Sequence, residues 1–235
     1  MEHRVHGVGA DCVYRAGMPL PYPPLLVEVT TPRLRLRGAT DDLLAGLLPV
    51  VRAGVVSADE VPFDDPMSLY EDNPTREWRW LRGIWAARAR ADEHLWRLDF
   101  VVEADGQLVG MQDLVAEDFS TFGRVGTFSW LAPEARGRGL GREMRAAVLH
   151  LAFAGLGARE ATSDAFLDNH ASKAVSRSLG YQANGTTWAT RRGQAAQICR
   201  WTLDRPRWEA ARRTDITLSG VEECLPVLGI GDAIK

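Results

Sequence analysis

Apolar and polar side chains alternate with a period of two along several stretches of this chain, which is the pattern of a half-buried β-strand. The first example is Leu34 and Leu36, which alternate with Arg33, Arg35 and Arg37. The other strand-like stretches are residues 96–102, 108–115, 125–131, 158–165, 181–189 and 194–203. Asp105-Gly106 and Arg192-Gly193 are hairpin signals between neighbouring stretches. We therefore predict a sheet in which residues 96–131 form three antiparallel strands.

Four other segments carry apolar residues at the three- and four-residue spacing of an amphipathic helix. The predicted apolar faces are Leu43, Leu44, Leu47 and Leu48 after a Thr40-Asp41-Asp42 cap; Trp78, Leu81 and Trp85 in a helix that opens at Asn73-Pro74-Thr75; Leu140, Met144, Val148 and Leu151; and Val175 and Leu179 after a cap at Asp168 or Asn169. Gly180 suits the left-handed conformation that ends a helix. The order of strands and helices, without an internal repeat, predicts a single α/β domain.

Three segments of the chain differ in composition. Glycine and proline recur in residues 1–25 without a sustained apolar period, which predicts a flexible N-terminal lead-in. The domain itself is predicted over residues 26–205. Residues 206–235 hold a short helical signal and an apolar end, and we expect them to extend the same domain.

The composition narrows the class of protein. The chain is 46% hydrophobic and 25% charged with a formal net charge of −3, which argues against a general nucleic-acid binder. The three cysteines are far apart and odd in number, so neither a disulfide frame nor a metal site is expected. No apolar run approaches the ~20 residues of a membrane span, and residues 1–25 lack the charged-then-apolar pattern of a secretory leader, so we expect none. We expect a cytoplasmic protein with no membrane partner.

The glycines between residue 131 and the helix that follows predict an anion-binding turn. Gly137, Gly139 and Gly141 leave backbone N–H groups uncovered at the positive end of a helix, where a phosphate or pyrophosphate is bound favourably. The side chains of Arg136, Arg138 and Arg142 would add charge around that turn. The two-residue spacing of the glycines does not fit a dinucleotide fingerprint, and Arg142-Glu143 replaces the Lys-Ser/Thr pair of a mononucleotide P-loop.

The spacing Arg136-x-x-Gly139-x-Gly141 resembles the cofactor loop of the GNAT superfamily of acyl-CoA N-acyltransferases. Residues 31–37 resemble the first strand of its RimJ/RimL-like branch. Asn169-x-x-Ser172, followed by Leu179-Gly180-Tyr181, resembles the last helix and next strand of that branch. The resemblance covers roughly residues 30 to 205 in the right order. It implies a mixed, mostly antiparallel sheet of six to seven strands with helices on both faces, and acetyl-CoA, succinyl-CoA or another short acyl-CoA as the donor.

By the same resemblance, each part of the acyl-CoA has a binding group in this chain. The pyrophosphate would lie on the loop residues Arg136, Gly137, Arg138, Gly139, Leu140, Gly141 and Arg142. The backbone of Trp130 and Leu131 would bind the pantetheine amides, and the Leu131 N–H would polarise the thioester carbonyl. The Trp130 side chain itself would be a core aromatic. Asn169 would bind the pantetheine, although an asparagine at this position also serves as a plain helix cap.

Two catalytic groups common in the family are missing. The tyrosine that protonates the thiolate is replaced by Ser176. RimL-like members that also lack it carry a serine at the place of Ser172, so the resemblance implies Ser172 as the substitute; a helix-surface serine near the cofactor is the competing interpretation. No glutamate stands on the stretch 125–131, so Asp113 is the candidate base, with a solvated strand acid or an amide-orienting residue as alternatives.

The loop that follows the first helix could bind the amine acceptor. Phe63 and Asp64 stand beside Asp59, Glu60 and Asp65, and an acid next to an aromatic ring suits a cationic amine. A solvated loop is the alternative. Protein N-terminus, lysine, antibiotic and small polyamine all stay open as acceptors, as does a homodimer.

Two functional classes therefore stand side by side. One is an N-acyltransferase that works by direct attack in a ternary complex, using no metal. The other is a CoA-dependent sensor that has lost catalysis, for which the missing tyrosine and glutamate argue. A nucleotide hydrolase is disfavoured because the chain lacks the residues of a P-loop.

Overall fold

The computed structural model describes residues 22–56, 62–64 and 68–231 of the chain. The strands in this part are β1 (Glu28–Thr30), β2 (Leu34–Gly38), β3 (Leu95–Ala104), β4 (Gln107–Glu117), β5 (Arg124–Leu131), β6 (Glu160–Phe166), β7 (Gln182–Arg191), β8 (Gln194–Asp204) and β9 (Thr217–Ser219). All nine described strands form one sheet in the order β7-β8-β6-β5-β4-β3-β2-β1-β9. The predicted count of six to seven strands is too low, because β1 and β9 have only three residues each, too few for an alternation to stand out in the sequence.

The described helices lie on both faces of this sheet, as predicted. They are α1 (Asp41–Ala53), α2 (Thr75–Ala89), α3 (Phe119–Phe122), α4 (Leu140–His150), α5 (His170–Ser178) and α6 (Arg205–Ala210). A π-helical turn, Leu151–Gly155, continues α4. Helices α1 and α2 pack with Val101, Met111 and Trp130 on one face of the sheet. Helix α4 packs on the other face, with Phe100 and Leu114.

The predicted apolar face of α4 is confirmed. Leu140, Met144, Val148 and Leu151 are all at least 98% buried and belong to one hydrophobic cluster. The Asp105-Gly106 hairpin is also confirmed: both residues have positive φ, 51° and 74°, between the antiparallel strands β3 and β4. Local patterns therefore place the central strands and the helix after β5 correctly.

The predicted face of α2 is wrong. Trp78 and Trp85 are 61% and 46% exposed, whereas Trp80 and Ile84 are buried against α1 and the sheet. The helix has two apolar stripes, and the contact with α1 selects the other one. In α5 the fully buried residue is Ser176, while the predicted inward residues Val175 and Leu179 are only half-buried.

One pair of strands positions the functional site. Strand β5 is antiparallel to β4 along most of its length, but it is parallel to β6 and pairs with it only from Arg124–Glu160 to Gly126–Thr162. Beyond Gly126 and Thr162 the two strands run on without a ladder between them. A gap between diverging strands therefore opens next to the turn that leads into α4.

Candidate active site

The turn between β5 and α4 has an uncovered backbone face. A short 3-10 helix, Pro133–Ala135, is followed by Gly137 and Gly139, whose φ angles of 72° and 77° lie in the left-handed region. A side chain is strained in this conformation, which explains the glycines. A Cβ placed on Gly137 would meet no heavy atom within 4 Å, so the turn is open on that side.

The first amides of α4 face this opening. Gly139 is the N-cap residue, and no side chain from the described segments caps the helix there. The leading N–H groups of a helix have no partner within the helix, and the helix dipole adds positive potential at the same end. The start of this eleven-residue helix can therefore bind an anion.

Arg136 holds the turn in place. Its Nε donates to the Leu131 carbonyl oxygen at 3.1 Å, and its Nη2 donates to the carbonyl of Val55. The guanidinium therefore ties the turn both to the end of β5 and to the segment after α1. Arg136 therefore stabilises the turn, in addition to the positive charge that the sequence predicts for it there.

The other two arginines of the turn are exposed. Arg138 pairs with Asp105 at 3.0 Å, and more than half of each side chain is accessible to solvent. Arg142 reaches the Ser178 carbonyl oxygen at 3.5 Å. Exposed contacts of this kind are weak, so both guanidinium groups can turn toward an incoming anion.

Glu143 fixes the start of α4 to the connection between β1 and β2, a role that sequence reasoning missed. Its carboxylate accepts from the Thr31 hydroxyl at 2.7 Å, from the Arg33 amide at 3.2 Å and from Arg33 Nε at 2.7 Å. Arg33 also donates to the Arg138 carbonyl at 3.0 Å. Burial raises the pKa of Glu143, but the bonds from Thr31 and Arg33 outweigh it and leave the pKa below its ordinary value.

The end of β5 pairs with β4 along one edge, and its other edge faces the gap. Gly110 is the register partner of Leu131, and a Cβ on Gly110 would come within 2.2 Å of the Trp130 carbonyl oxygen. Only glycine allows so close an approach. The predicted splaying of β5 from β6 is therefore present where Trp130 and Leu131 stand.

Asn169 and Ser172 lie at the start of α5. Asn169 is the N-cap residue, and its side-chain oxygen accepts from the Ser172 amide at 3.0 Å. Both residues are half-buried and follow the free end of β6. The cap uses only the oxygen of the Asn169 side chain, and its NH₂ group would be the donor to a pantetheine carbonyl.

Asp113 is buried in the sheet on the α1 and α2 face. Its carboxylate forms an ion pair with Arg97 and accepts from the Phe128 amide at 2.7 Å. Burial raises the pKa of Asp113 to about 7; Arg97 lowers it and Asp99 raises it further. The solvated alternative is therefore wrong, and the carboxylate does orient an amide of β5.

Phe63 and Asp64 are the described part of the predicted acceptor loop. Phe63 is 95% buried, and Asp64 is exposed. Asp59, Glu60 and Asp65 lie outside the described residues.

An aromatic cluster joins this loop to β5. The Phe63 ring lies 5.7 Å from Tyr70 and 5.5 Å from Phe128, measured between ring centroids. The Tyr70 hydroxyl bonds the Phe63 backbone, and burial raises the pKa of Tyr70 to about 12. Arg192, at the β7–β8 turn, lies 5.8 Å above the Tyr70 ring. Sequence reasoning missed Tyr70 and Phe128, whose contacts depend on tertiary packing.

A family model described as the acetyltransferase (GNAT) domain matches residues 33–182. The chain belongs to the GNAT acetyltransferase family. The predicted superfamily and the predicted enzyme class, an acyl-CoA N-acyltransferase, are thereby confirmed. The matched range of this GNAT chain includes the glycine turn, the gap between β5 and β6, and Asn169.

Solved structures share the fold. RimL, described as a ribosomal L7/L12 alpha-N-protein acetyltransferase in complex with coenzyme A, is 18% identical with a TM-score of 0.59, over 74% of this chain and 95% of that one. RimJ from Mycobacterium smegmatis, described as a complex with CoA-disulfide, is 18% identical with a TM-score of 0.62, over 78% and 92%. An acetyl transferase from Salmonella typhimurium, described as modifying the N-terminal serine of L7/L12, is 16% identical with a TM-score of 0.59, over 74% and 96%.

Within residues 22–231, apart from the two undescribed gaps, no helix is both long and apolar enough to cross a membrane. The same residues include no group of three or more His, Cys, Asp or Glu side chains that could hold a metal ion.

Proposed function

We propose that this GNAT protein transfers a short acyl group from acyl-CoA to a primary amine by direct attack in a ternary complex. The amine nitrogen forms the new bond to the acyl carbon, and the carbon–sulfur bond breaks. The nitrogen loses one proton to a base before it attacks and a second one as the amide forms, and the second is relayed through the donor to the departing CoA thiolate. No covalent intermediate on the enzyme is needed.

The gap beside the glycine turn is the observation that carries this proposal. The β5–β6 ladder ends at Gly126 and Thr162, so the free edges of both strands can bond the amides of pantetheine as an added strand would. The open start of α4, from Gly137 to Arg142, stands next to that gap for the pyrophosphate. An anion site and a peptide-like slot side by side fit the two ends of the CoA arm.

Leu131 and Ser172 are the proposed groups around the thioester. The Leu131 carbonyl is already bonded to Arg136, which leaves the Leu131 N–H as the group for the thioester oxygen. The Ser172 hydroxyl would donate to the thiolate directly or through water. A strong acid is not required there, because a thiol of pKa ~8.5 leaves readily.

Asp113 is the proposed base. An ammonium of pKa ~10 must lose a proton before it can attack, and a carboxylate with a pKa of about 7 accepts protons near neutral pH. Its bond to the Phe128 amide places it against the strand that borders the gap. Phe63, Phe128 and Asp64 would line the acceptor side. RimL, as an alpha-N-protein acetyltransferase, acts on a protein α-amino group, which supports an amine acceptor of that class here.

Calorimetric titration with CoA tests the proposal. A Gly139→Glu change puts a side chain and a negative charge at the N-cap of α4, and we expect it to abolish CoA binding. Gly185→Glu is the matched control, because Gly185 also has a positive φ, 81°, and open space around it, but stands on β7. Equal CoA affinity in wild type and Gly139→Glu would refute the proposal.

A second candidate, a CoA-dependent sensor without catalysis, is favoured by the state of Ser176. This residue stands where the family's usual tyrosine acid would be, and it is fully buried with its hydroxyl unbonded to any described group. Its hydroxyl is therefore not exposed to take over the role of the tyrosine.

Thiol release with a panel of amines separates the two candidates. The panel contains a peptide with a free N-terminus, an N-blocked lysine peptide, an aminoglycoside and spermidine. Release with any of them, above the rate with acyl-CoA alone, supports transfer. Tight CoA binding without release in the whole panel would support the sensor.

A further inference from the structure

Arg145 is a buried charge without a carboxylate partner on its own side of the sheet. It stands on α4 and is 95% buried. Among the described residues, its hydrogen bonds go to two neutral hydroxyls, Ser163 Oγ at 2.8 Å and Ser129 Oγ at 3.2 Å. The carboxylate whose pKa it lowers is Asp113, which lies on the other face and is paired with Arg97.

The guanidinium of Arg145 spans the gap between β5 and β6. Ser129 stands on β5 beyond Gly126, and Ser163 stands on β6 beyond Thr162, where the ladder has ended. Arg145 therefore connects the two diverging strands from the α4 side. Its Nε is buried and has no hydrogen-bond partner among the described residues.

Other buried polar atoms near Arg145 are also unbonded. The Tyr181 hydroxyl faces Thr127 and Arg145, which lower its pKa against the larger raising effect of burial, but no described group meets hydrogen-bond geometry with it. Gln112 is fully buried on the same face of the sheet as Leu114, and its Oε1 has no partner. Unsatisfied buried groups of this kind are rare in folded proteins and need an explanation.

An anion between the strands would explain the buried charge of Arg145 and the unbonded donors at Arg145 Nε and the Tyr181 hydroxyl; the Gln112 oxygen is itself an acceptor and needs a donor instead. Water can bond the free N–H groups of a guanidinium, but it does not neutralise a buried charge, and an uncompensated buried charge is costly. A carboxylate does both, because its two oxygens match the guanidinium fork.

The side of the sheet indicates where such a carboxylate comes from. Arg145 stands on α4, six residues and about 9 Å along the helix axis after Gly139. It is therefore on the same face of the sheet as the start of the anion-binding turn. Phe63 and Phe128, the proposed acceptor wall, lie on the opposite face with α1. The donor's acyl chain is therefore better placed than the acceptor to reach Arg145.

We propose that Arg145 binds the terminal carboxylate of a dicarboxylic acyl chain, so that this protein prefers a succinyl-type acyl-CoA to donors with neutral chains. The inference rests on the proposed function, because it needs the thioester to lie in the gap between β5 and β6. It assigns a donor class to the site and a specificity-determining role to Arg145.

The test compares the affinities of wild type and variants for succinyl-CoA and butyryl-CoA, whose chains have equal length but differ in the carboxylate. We expect wild type to bind succinyl-CoA at least tenfold more tightly. Arg145→Met should bring the two affinities within twofold of each other without weakening butyryl-CoA binding. Arg145→Lys, which keeps the charge, should retain part of the preference, and Arg124→Met, at the paired start of β5, should retain all of it.

Several outcomes would overturn the inference. One is a wild type without preference, and another is an equal preference in wild type and Arg145→Met. A third is that free succinate, added with acetyl-CoA, raises the melting temperature as much as succinyl-CoA does, since the carboxylate would then not need to belong to the donor. If neither CoA nor any thioester binds to wild type, the proposed function itself fails; if CoA and acetyl-CoA bind without discrimination, only this inference fails.

Discussion

Replacing Glu143 by glutamine tests whether this residue fixes the start of α4. The change keeps the size of the side chain and removes its charge. Oε1 would still accept from Thr31 and from the Arg33 amide, but the new NH₂ group would face two donors of the Arg33 guanidinium, Nε at 2.7 Å and Nη2 at 2.5 Å. Two charge-assisted contacts are therefore lost together.

The expected cost follows from these contacts and from their exposure. A hydrogen bond to a charged group contributes about 1.5–3 kcal/mol, but half of the Arg33 side chain is exposed, so solvent screens part of this. We expect the free energy of unfolding to fall by about 2 kcal/mol. For a chain of this length that corresponds to about 4–8 °C in melting temperature. CoA affinity should fall as well, because Arg33 also holds the Arg138 carbonyl.

Calorimetric melting at several pH values measures the effect. The folded pKa of Glu143 is lowered, so its stabilisation is full above the unfolded pKa of about 4.3 and is lost as the pH falls through the lower folded value. The difference between wild type and Glu143→Gln should therefore shrink below about pH 4. Glu160→Gln is the control, since Glu160 pairs at 2.6 Å with an arginine that is 58% exposed, and it should cost less than about 1 kcal/mol. Equal costs for the two variants at neutral pH would refute the role assigned to Glu143.

Three further predictions concern other parts of the chain. Between about pH 4 and pH 7, Asp113 keeps its proton in the folded state and loses it in the unfolded state, so its contribution to stability falls as the pH rises. The melting temperature of Asp113→Asn should therefore decrease less than that of wild type over this pH range. An equal decrease in both proteins would contradict the raised pKa of Asp113. In urea unfolding, Gly110→Ala should lower the free energy of unfolding by about 2 kcal/mol or more, because the new Cβ would clash with a backbone oxygen. Gly83→Ala, in open space on α2, should raise it by about 0.5–1 kcal/mol. By the same measurement, Trp80→Ala should lower the free energy of unfolding by about 3–5 kcal/mol, and Trp78→Ala should lower it by less than about 0.5 kcal/mol. Similar losses in both variants would mean that the face predicted from the sequence is the buried one.

The parts of the fold that sequence predicts well have local causes. The alternation in β2 and the Asp105-Gly106 turn depend on residues that are neighbours in the chain. The glycine turn is also local, because positive φ angles at Gly137 and Gly139 and the start of α4 lie within four residues. The remaining cofactor-binding residues were predicted from the family resemblance, and their contacts with CoA stay predictions.

The parts that sequence missed depend on partners far along the chain. In α2, the stripe of Trp80 and the stripe of Trp78 have the same helical spacing, and only the packing against α1 decides between them. Arg145 is an arginine on an amphipathic helix and would be expected in solvent, yet Ser129 and Ser163 bind it inside. Glu143 has its partners more than 100 residues earlier in the chain.

The pairing of β1 with β9 has a practical consequence. Glu28 and Ser219 are register partners at one edge of the sheet, and three strands, β2, β3 and β4, separate β1 from β5. A linker attached to the exposed side chain of residue 217 or 219 on β9 would anchor the molecule to a sensor surface by that edge. The gap beside β5 would then face the flowing solution, so thioester affinities could be measured on an immobilised sample.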